Sequence, residues 1–366
     1  MTPVNYNDGN SYGLHPVMSE VQQLFNDEKL SIIANVGMLA EPITKVEYET
    51  KTKTRPPKLF SHNSQQDQWM RARADEVYPF GWAGRMTDLL YPDPASAPKP
   101  AVNITPSGIN LWQTGGQYST YEVPASGIQS ISFPSNAMEQ AYQDIVNSGT
   151  TKSHTLVSHY AKIQQRSNVL TKLIQDKLNN AEISTQFDQN SSLAKQLEMV
   201  SKLISVRNNL DNNTKRQIFF VGFGGWDTHK NQNVTHPKLL QQLSKSLSTF
   251  YSALEELGVE NQVTTFTASE FGRTVTSNSS GTDHGWGGHN LVMGGSVNGG
   301  DIYGTMPKIE LNSPNAIRSG SRIIPSTSVE QYSATLASWF GLSDQEINTV
   351  FPNLNLFDSR NLGFMR

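Results

Sequence analysis

Short apolar runs alternate with polar, turn-rich stretches along the chain, and this pattern predicts an α/β protein. Runs at residues 31–37, 217–222, 262–267 and 291–294 have the length and composition of short buried strands. Between the second and third runs, Leu240, Leu247 and Leu254 repeat on one helical face, and Gly258 ends the repeat. This strand–helix–strand order predicts a parallel pair of strands joined by a crossover helix.

Amphipathic spacing and cap residues predict the remaining helices. They are expected after Pro16, from Ser61 through Trp69, across a block at residues 135–213, and from Ser328, which forms a capping box with Gln331, through Phe340. Residues 95–134 are instead interrupted by prolines and glycines. We interpret residues 95–213 as an irregular and helical insertion that covers the sheet of a single domain, residues 1–366.

Composition narrows the class of protein. The 366 residues carry a net charge of -3, with 17% charged residues, so no basic surplus indicates a nucleic-acid partner. No apolar run approaches the ~18 residues of a membrane span, and no transmembrane segment is expected. Cysteine is absent, which favours an exported chain and limits any metal site to nitrogen and oxygen ligands.

Candidate metal ligands follow the predicted strands. Asp227 and His229 lie in a glycine-rich loop after the run at 217–222, and Glu270 follows the run at 262–267. The nine residues 281–289 add Asp283, His284 and His289 between four glycines. Because open α/β sheets bind ligands beyond the carboxyl ends of their strands, these six residues predict a divalent-metal site. Zn²⁺ and Mn²⁺ suit such mixed ligands best, whereas Mg²⁺ or Ca²⁺ would prefer oxygen alone.

Each candidate also has a simpler interpretation. Asp227 and Asp283 would instead cap turns, although their grouping after strands favours the metal site, and Glu270 is equally suited to form a salt bridge with Arg273. Arg273 is a candidate to hold an anionic oxygen or to orient Glu270. Ser61 is either a helix cap or a nucleophile at a helix N-terminus, with His62 beside it.

Several motifs resemble those of the DUF1501 family. They are residues 12–16, 33–37, 59–62 with Gln68 and Trp69, 224–229, 269–274 and 281–288, together with 294–295, 303–304 and the segment from Ile324 to Phe340. The family is of uncharacterised function and is placed with the alkaline phosphatase and sulfatase superfamily. The resemblance implies a three-layer α/β/α sandwich with a mostly parallel sheet, and one or two metal ions that serve the hydrolysis of a small anionic phosphate or sulfate ester.

Motif by motif, the resemblance implies roles for particular residues. Asp227 and His229 look like the first acid and imidazole pair of the superfamily, and Glu270 takes the Asp place of its Ser–Asp–His–Gly strand end. Phe271 stands where a ligand histidine is often found. The late histidine is then His284 or His289, and an alternative alignment places residues 283–285 on the Asp–His–Gly motif itself. Ser61 or a metal-bound hydroxide would attack, with Arg273 orienting the anion.

The family pattern also begins with an apolar strand and a Gly-Gly-Asn/Asp motif that donates a metal ligand, and this chain shows neither. A missing strand is expected to expose an unpaired sheet edge. This departure favours a second hypothesis, a non-catalytic binding or envelope-assembly protein. A third is a metal site with only a structural role. Family members commonly carry an export signal, so a periplasmic or secreted location is expected, although no signal is visible here.

Overall fold

The computed structural model describes residues 1–93, 101–128, 131–152, 154–210, 215–310, 313–318 and 321–366. Its helices are α1 (Ser19–Asn26), α2 (Lys45–Thr50), α3 (His62–Arg71), α4 (Trp82–Leu90), α5 (Asn136–Thr150), α6 (Thr155–Leu178), α7 (Ser192–Ser205), α8 (Arg207–Leu210), α9 (Gln232–Glu256), α10 (Val329–Phe340) and α11 (Asp344–Val350). A 3₁₀ helix spans Pro352–Leu356.

The strands are short, apart from the first. They are β1 (Leu30–Gly37), β2 (Asn103–Thr105), β3 (Tyr121–Glu122), β4 (Ile218–Phe219), β5 (Thr265–Phe266), β6 (Arg273–Ser277), β7 (Thr282–His284), β8 (Gly288–Met293), β9 (Ile302–Tyr303), β10 (Ala316–Ile317), β11 (Arg322–Ile323) and β12 (Thr327–Ser328).

Strand β1 lies at the centre of the largest sheet, and all eight of its residues are buried. On one edge it pairs in parallel with β9 and then with β12, and on the other it pairs antiparallel with β8. Strand β5 adds to the far side of β8, also antiparallel. The prediction of an α/β protein is confirmed, and this sheet is mixed because both directions occur in it. A continuous apolar run suits β1 because both of its faces are covered.

The predicted parallel pairing of the runs at 217–222 and 262–267 is wrong. Strand β4 pairs with β2 in a separate parallel sheet of order β3–β2–β4, while β5 pairs with β8. The two runs do line opposite sides of one apolar cavity of about 1030 Å³. That space separates their main chains and prevents direct hydrogen bonds between them.

The helices largely follow the sequence pattern. Helix α10 has the predicted capping box between Ser328 and Gln331, and Gly258, with φ of 63°, follows the end of α9. Ser61 occupies the N-cap position of α3, but its side chain makes no capping hydrogen bond. Within the proposed insertion, α5 to α8 form the helical part, whereas residues 95–100, 129–130, 153 and 211–213 lie outside the described residues. None of the helices in the described ranges has the length and apolar content needed to cross a membrane.

Candidate metal centre

Side chains from three distant parts of the chain converge at one end of the sheets. His62 is the first residue of α3, Asp227 lies in the loop after β4, and His284 ends β7. Ligand atoms of these three residues all lie within 4.8 Å of one another. The loop and the β6–β7 hairpin can approach so closely because Gly281 has no side chain; a Cβ there would lie 2.3 Å from the Thr228 oxygen.

Asp227 is the centre of this group. Its Oδ1 lies 3.0 Å from Nε2 of His229 and 3.1 Å from Nε2 of His284, and its Oδ2 lies 3.1 Å from Nε2 of His62. The two Nε2 atoms of His229 and His284 are 2.9 Å apart. Ligands bound tetrahedrally at 2.0–2.1 Å would be separated by roughly 3.3 Å, so these atoms need to move apart only slightly to hold an ion.

A hydrogen bond to the main chain decides which nitrogen of His284 faces the group as an acceptor. Its Nδ1 lies 2.7 Å from the carbonyl oxygen of Phe60, which can only accept, so Nδ1 carries the proton. In the neutral ring, Nε2 then presents a lone pair to Asp227 and His229. The Nε2 of His284 and the Asp227 carboxylate are therefore both acceptors, and either the ring proton of His229 or a bound metal ion can lie between them. A ligand histidine whose second nitrogen donates to a carbonyl is a common arrangement at metal sites.

His62 is held between two carboxylates. Its Nδ1 lies 2.8 Å from Oε1 of Glu270, and its Nε2 contacts Asp227. The hydrogen bond to Glu270 raises the pKa of His62, with a further contribution from Asp227 that outweighs partial burial. Gln66 also donates to Glu270 Oε1. Glu270 thus contacts the group through His62, and its assignment as a direct metal ligand stays a prediction.

Arg273 binds Asp227 rather than Glu270. Its Nη1 donates to Asp227 Oδ1 at 2.6 Å, while its other nitrogens donate to the hydroxyl and carbonyl oxygens of Thr282. Partial burial alone would raise the pKa of Asp227, but hydrogen bonds from Arg273 and His62 outweigh it and lower that pKa. Asp227 is therefore an ionised carboxylate at neutral pH, as a metal ligand must be.

Two other predicted ligands lie at the margin of the group. Asp283 accepts a 2.7 Å hydrogen bond from Asn278 and lies 3.4 Å from Nδ1 of His229, so it contacts the centre through that ring. His289 lies apart, and its Nδ1 accepts from the main-chain N–H of Asn35 at 3.2 Å. Of the two candidates for the late histidine, the structure brings His284 into the group.

Aromatic rings fix the imidazoles in place. Phe271 is buried and stacks on His284 with a ring separation of 4.3 Å, and it also contacts His62 at 4.9 Å. Trp286 is fully buried and donates from Nε1 to the carbonyl oxygen of Met38, which anchors the segment after β7 to the chain after β1. The side chains of Asp227 and His229 are 39% and 43% exposed, so water and a small solute can reach the centre.

Sequence reasoning assigned His62 to catalysis and did not place it beside the metal ligands. The available signal was the position of His62 in the first turn of a helix after a loop, which projects a side chain towards the end of a sheet. The partner of that side chain was not predictable, because Asp227 and Glu270 are more than 160 positions away.

A search of curated proteins returned no match to this chain. A family model described as "Protein of unknown function (DUF1501)" matches residues 9–346, a range that includes every residue of the candidate centre. The chain therefore belongs to the DUF1501 family.

Proposed function

We propose that this protein is a metal-dependent hydrolase of phosphate or sulfate esters, related to alkaline phosphatases and sulfatases and built on their three-layer sandwich plan. The observation that carries the proposal is the convergence of Asp227, His229 and His284, whose nitrogen and oxygen ligand atoms lie 2.9–3.1 Å apart. Two imidazoles and a carboxylate suit Zn²⁺ or Mn²⁺. The exposure of Asp227 and His229 supports substrate access.

Asp227, His229 and His284 would hold the metal, with Arg273 fixing the carboxylate and Phe60 fixing the tautomer of His284. A bound divalent ion would supply Lewis-acid stabilisation of charge on a phosphoryl or sulfuryl oxygen. His62, whose pKa is raised by Glu270, is suited to donate a proton to a leaving oxygen. Ser61 at the N-cap of α3 lies beside the first N–H groups of the helix, which favour an anion, and we retain it as the candidate nucleophile.

A specific observation favours the second candidate function, a non-catalytic binding protein. Arg273 already neutralises Asp227, and Phe271 occupies a position beside His62 and His284 that a further ligand could fill. Arg273 supplies the positive charge that a metal ion would otherwise bring, and Phe271 provides no ligand atom. Both features are expected to lower the affinity of the site for a metal ion. We further propose export to the periplasm or the medium, in keeping with the absence of cysteine.

The first experiment measures metal by elemental mass spectrometry on protein prepared without chelators or metal-affinity resin. Wild type is compared with Asp227→Asn and with Asp344→Asn, an exposed aspartate in the first turn of α11. Near-stoichiometric metal in wild type and in the Asp344 variant, together with its loss in Asp227→Asn, supports the site. Turnover of 4-nitrophenyl phosphate or sulfate that follows metal content then supports the hydrolase.

Other outcomes separate the alternatives. Wild type that stays metal-free after incubation with Zn²⁺ and Mn²⁺ would overturn the metal site and the hydrolase with it. Bound metal without turnover, and with a lower melting temperature after chelation, would establish a structural metal instead. Bound metal with neither turnover nor a stability change would point to the binding protein.

A further inference from the structure

A pair of arginine side chains, Arg318 and Arg322, lies beside the candidate metal centre. Arg322 of β11 donates from Nε to the main-chain carbonyl oxygen of His284 at 2.8 Å. The guanidinium carbons of Arg318 and Arg322 each lie 4.7 Å from the centre of the Phe60 ring. Because the carbonyl oxygen of Phe60 binds Nδ1 of the same His284, both guanidiniums contact residues that position one ligand of the centre.

The arginine pair carries charge that no neighbour neutralises by contact. Among the described residues, neither guanidinium forms a salt bridge. Asp283 attracts Arg322 from a longer distance, but its carboxylate also lies 3.4 Å from Nδ1 of His229. Burial and the charge of Arg318 both lower the pKa of Arg322. Because arginine stays protonated at neutral pH, the two cations repel each other, and a bound anion would relieve that repulsion.

The surface next to the arginine pair is also cationic. Helix α2 packs against β10, and the Arg55 guanidinium carbon lies 5.0 Å from the centre of the Tyr48 ring on α2. Within the described ranges, Arg55 forms no salt bridge either. Two acidic residues of the same segment, Glu41 and Glu47, each lie 3.8 Å from Nζ of Lys53. These acids are neutralised locally, so a positive potential is expected at this rim of the centre.

Free donors of the arginine pair suit a tetrahedral oxyanion. Arg322 uses Nε for His284, and its two Nη groups make no hydrogen bond in the described part of the chain, nor does the Arg318 guanidinium. Arg318 is exposed and Arg322 is half-buried, so an anion can reach both. Stacking on one ring holds both planar groups, and a guanidinium binds two oxygens of phosphate or sulfate at once. An apolar side chain would cover Phe60 without the repulsion, so packing alone does not account for a second cation.

We propose that Arg318 and Arg322 bind a second oxyanion group, a phosphate or a sulfate, of the same molecule that the candidate metal centre binds. The substrate class is then an ester that carries at least two such groups, one at the centre and one at the arginine pair. This assignment of a substrate rests on the proposed hydrolase function, whereas the anion site itself requires neither metal nor turnover. A small ester with a single anionic group would contact the centre alone.

The first measurement is calorimetric titration of the whole protein, as purified, with inorganic phosphate and with inorganic sulfate at low ionic strength. Wild type is compared with Arg318→Gln, which leaves the hydrogen bond from Arg322 to His284 in place. The control is Lys172→Gln, which removes an exposed cation from α6, a helix that contributes no residue to the centre. We expect a saturable site whose affinity falls about tenfold in Arg318→Gln, because a bidentate contact is lost, and stays unchanged in the control. No anion binding by wild type, or equal binding by the two variants, would overturn the anion site.

A second measurement asks whether the arginine pair and the centre bind one molecule. The probes are methylphosphonate and bisphosphonates whose two groups are joined by one, three or five methylene groups, and none of these probes can be hydrolysed. They are added to protein that has been loaded with Zn²⁺ and freed of excess metal. At least one bisphosphonate should bind about tenfold more tightly than methylphosphonate, because its second contact is intramolecular. Arg318→Gln should remove most of that advantage, and Lys172→Gln should keep it.

The outcomes separate this inference from the proposed function. A bisphosphonate advantage that persists in Arg318→Gln, or no advantage for any linker, would overturn the shared substrate and leave a site for free phosphate or sulfate only. Protein that takes up no metal and turns over no 4-nitrophenyl ester, but loses anion binding in Arg318→Gln, would overturn the hydrolase and the substrate assignment with it. The anion site at the arginine pair would then stand by itself.

Discussion

The runs that contain β1, β4 and β5 all predict short buried strands, but the three strands have different surroundings. Strand β1 has neighbours on both edges, and all of its residues are buried. Strands β4 and β5 each have one neighbour, and Phe219, Val221 and Phe266 are only half-buried against the cavity. The difference shows that apolar sequence predicts a strand well, whereas full burial also requires a neighbour on each side.

The candidate metal centre takes residues from both of these regions. Trp286, which follows His284, is anchored to the chain after β1, whereas Asp227 and Glu270 follow the two incompletely paired strands. One side of the centre is therefore supported by the region around β1, which is paired on both edges. The other side is supported by β4 and β5, which are each paired on one edge.

Hydrogen exchange should show the largest contrast between the two regions. The N–H of Ile32 donates to Asp301 within the fully buried β1, whereas the main chain of Val221 makes no hydrogen bond within the described residues. We expect the amides of β1 to exchange at least about 10³-fold more slowly than those of Val221 and Thr264. Measurement by mass spectrometry with overlapping peptides resolves the two segments. Equal protection would mean that the cavity is closed in solution.

The stability of the protein should also depend strongly on pH, because α10, which follows β12 beside β1, carries a buried glutamate. Glu330 of α10 is 1% exposed, and burial raises its pKa to about 8, with Asp75 adding to the effect. The folded state then binds the proton more tightly than the unfolded state, so stability falls as pH rises from about 4.5 to about 8. Glu330→Gln should raise the free energy of unfolding by an amount on the order of 3–5 kcal/mol at pH 9 and change it little at pH 4.

Chemical denaturation at both pH values checks this prediction. Glu255→Gln, which alters an exposed glutamate on α9, is the matched control and should change stability by under about 0.5 kcal/mol at either pH. A Glu330→Gln variant without a pH-dependent gain would show that the carboxyl is solvated or paired in solution.

A matched pair of valine truncations compares the packing of the two regions. Val36 of β1 is 1% exposed, and Val221 beside the cavity is only half-buried. Val36→Ala should lower the free energy of unfolding by about 2–3 kcal/mol, and Val221→Ala by less than about 1 kcal/mol, because the second removes fewer contacts. Urea unfolding measures both. Similar losses would contradict the comparison.

A smaller loss than at Val36 is expected when the capping box at the start of α10 is removed. Ser328 pairs with Gly37 of β1 and caps α10 through the main chain of Gln331. Ser328→Ala should lower the free energy of unfolding by about 1–2 kcal/mol, towards the upper end because Ser328 is buried. Ser343→Ala, which removes the same box from the exposed helix α11, should cost about 0.5–1 kcal/mol by the same urea measurement. A larger loss at Ser343 would reverse the expected order.

Local features of the fold were predictable from the sequence. The run at residues 31–37 forms β1, the capping box at Ser328 begins α10, and the leucine repeat at 240–257 lies in or directly after α9. Such features depend on residues a few positions apart, where periodicity and capping chemistry act directly. The glycine-rich loops with Asp227 and His284 were likewise predicted from their composition to carry metal ligands, and the structure brings these two side chains together.

Only the tertiary structure decided which of these features meet. It paired Arg273 with Asp227 instead of Glu270, brought His62 beside His284, and left His289 against Asn35. It also separated the runs around β4 and β5, which the sequence had predicted as neighbours. Sequence by itself determined most of the elements, the candidate ligand residues and the family resemblance, because these are local or motif properties. Strand neighbours and side-chain partners depend on long-range packing, which a single sequence does not display.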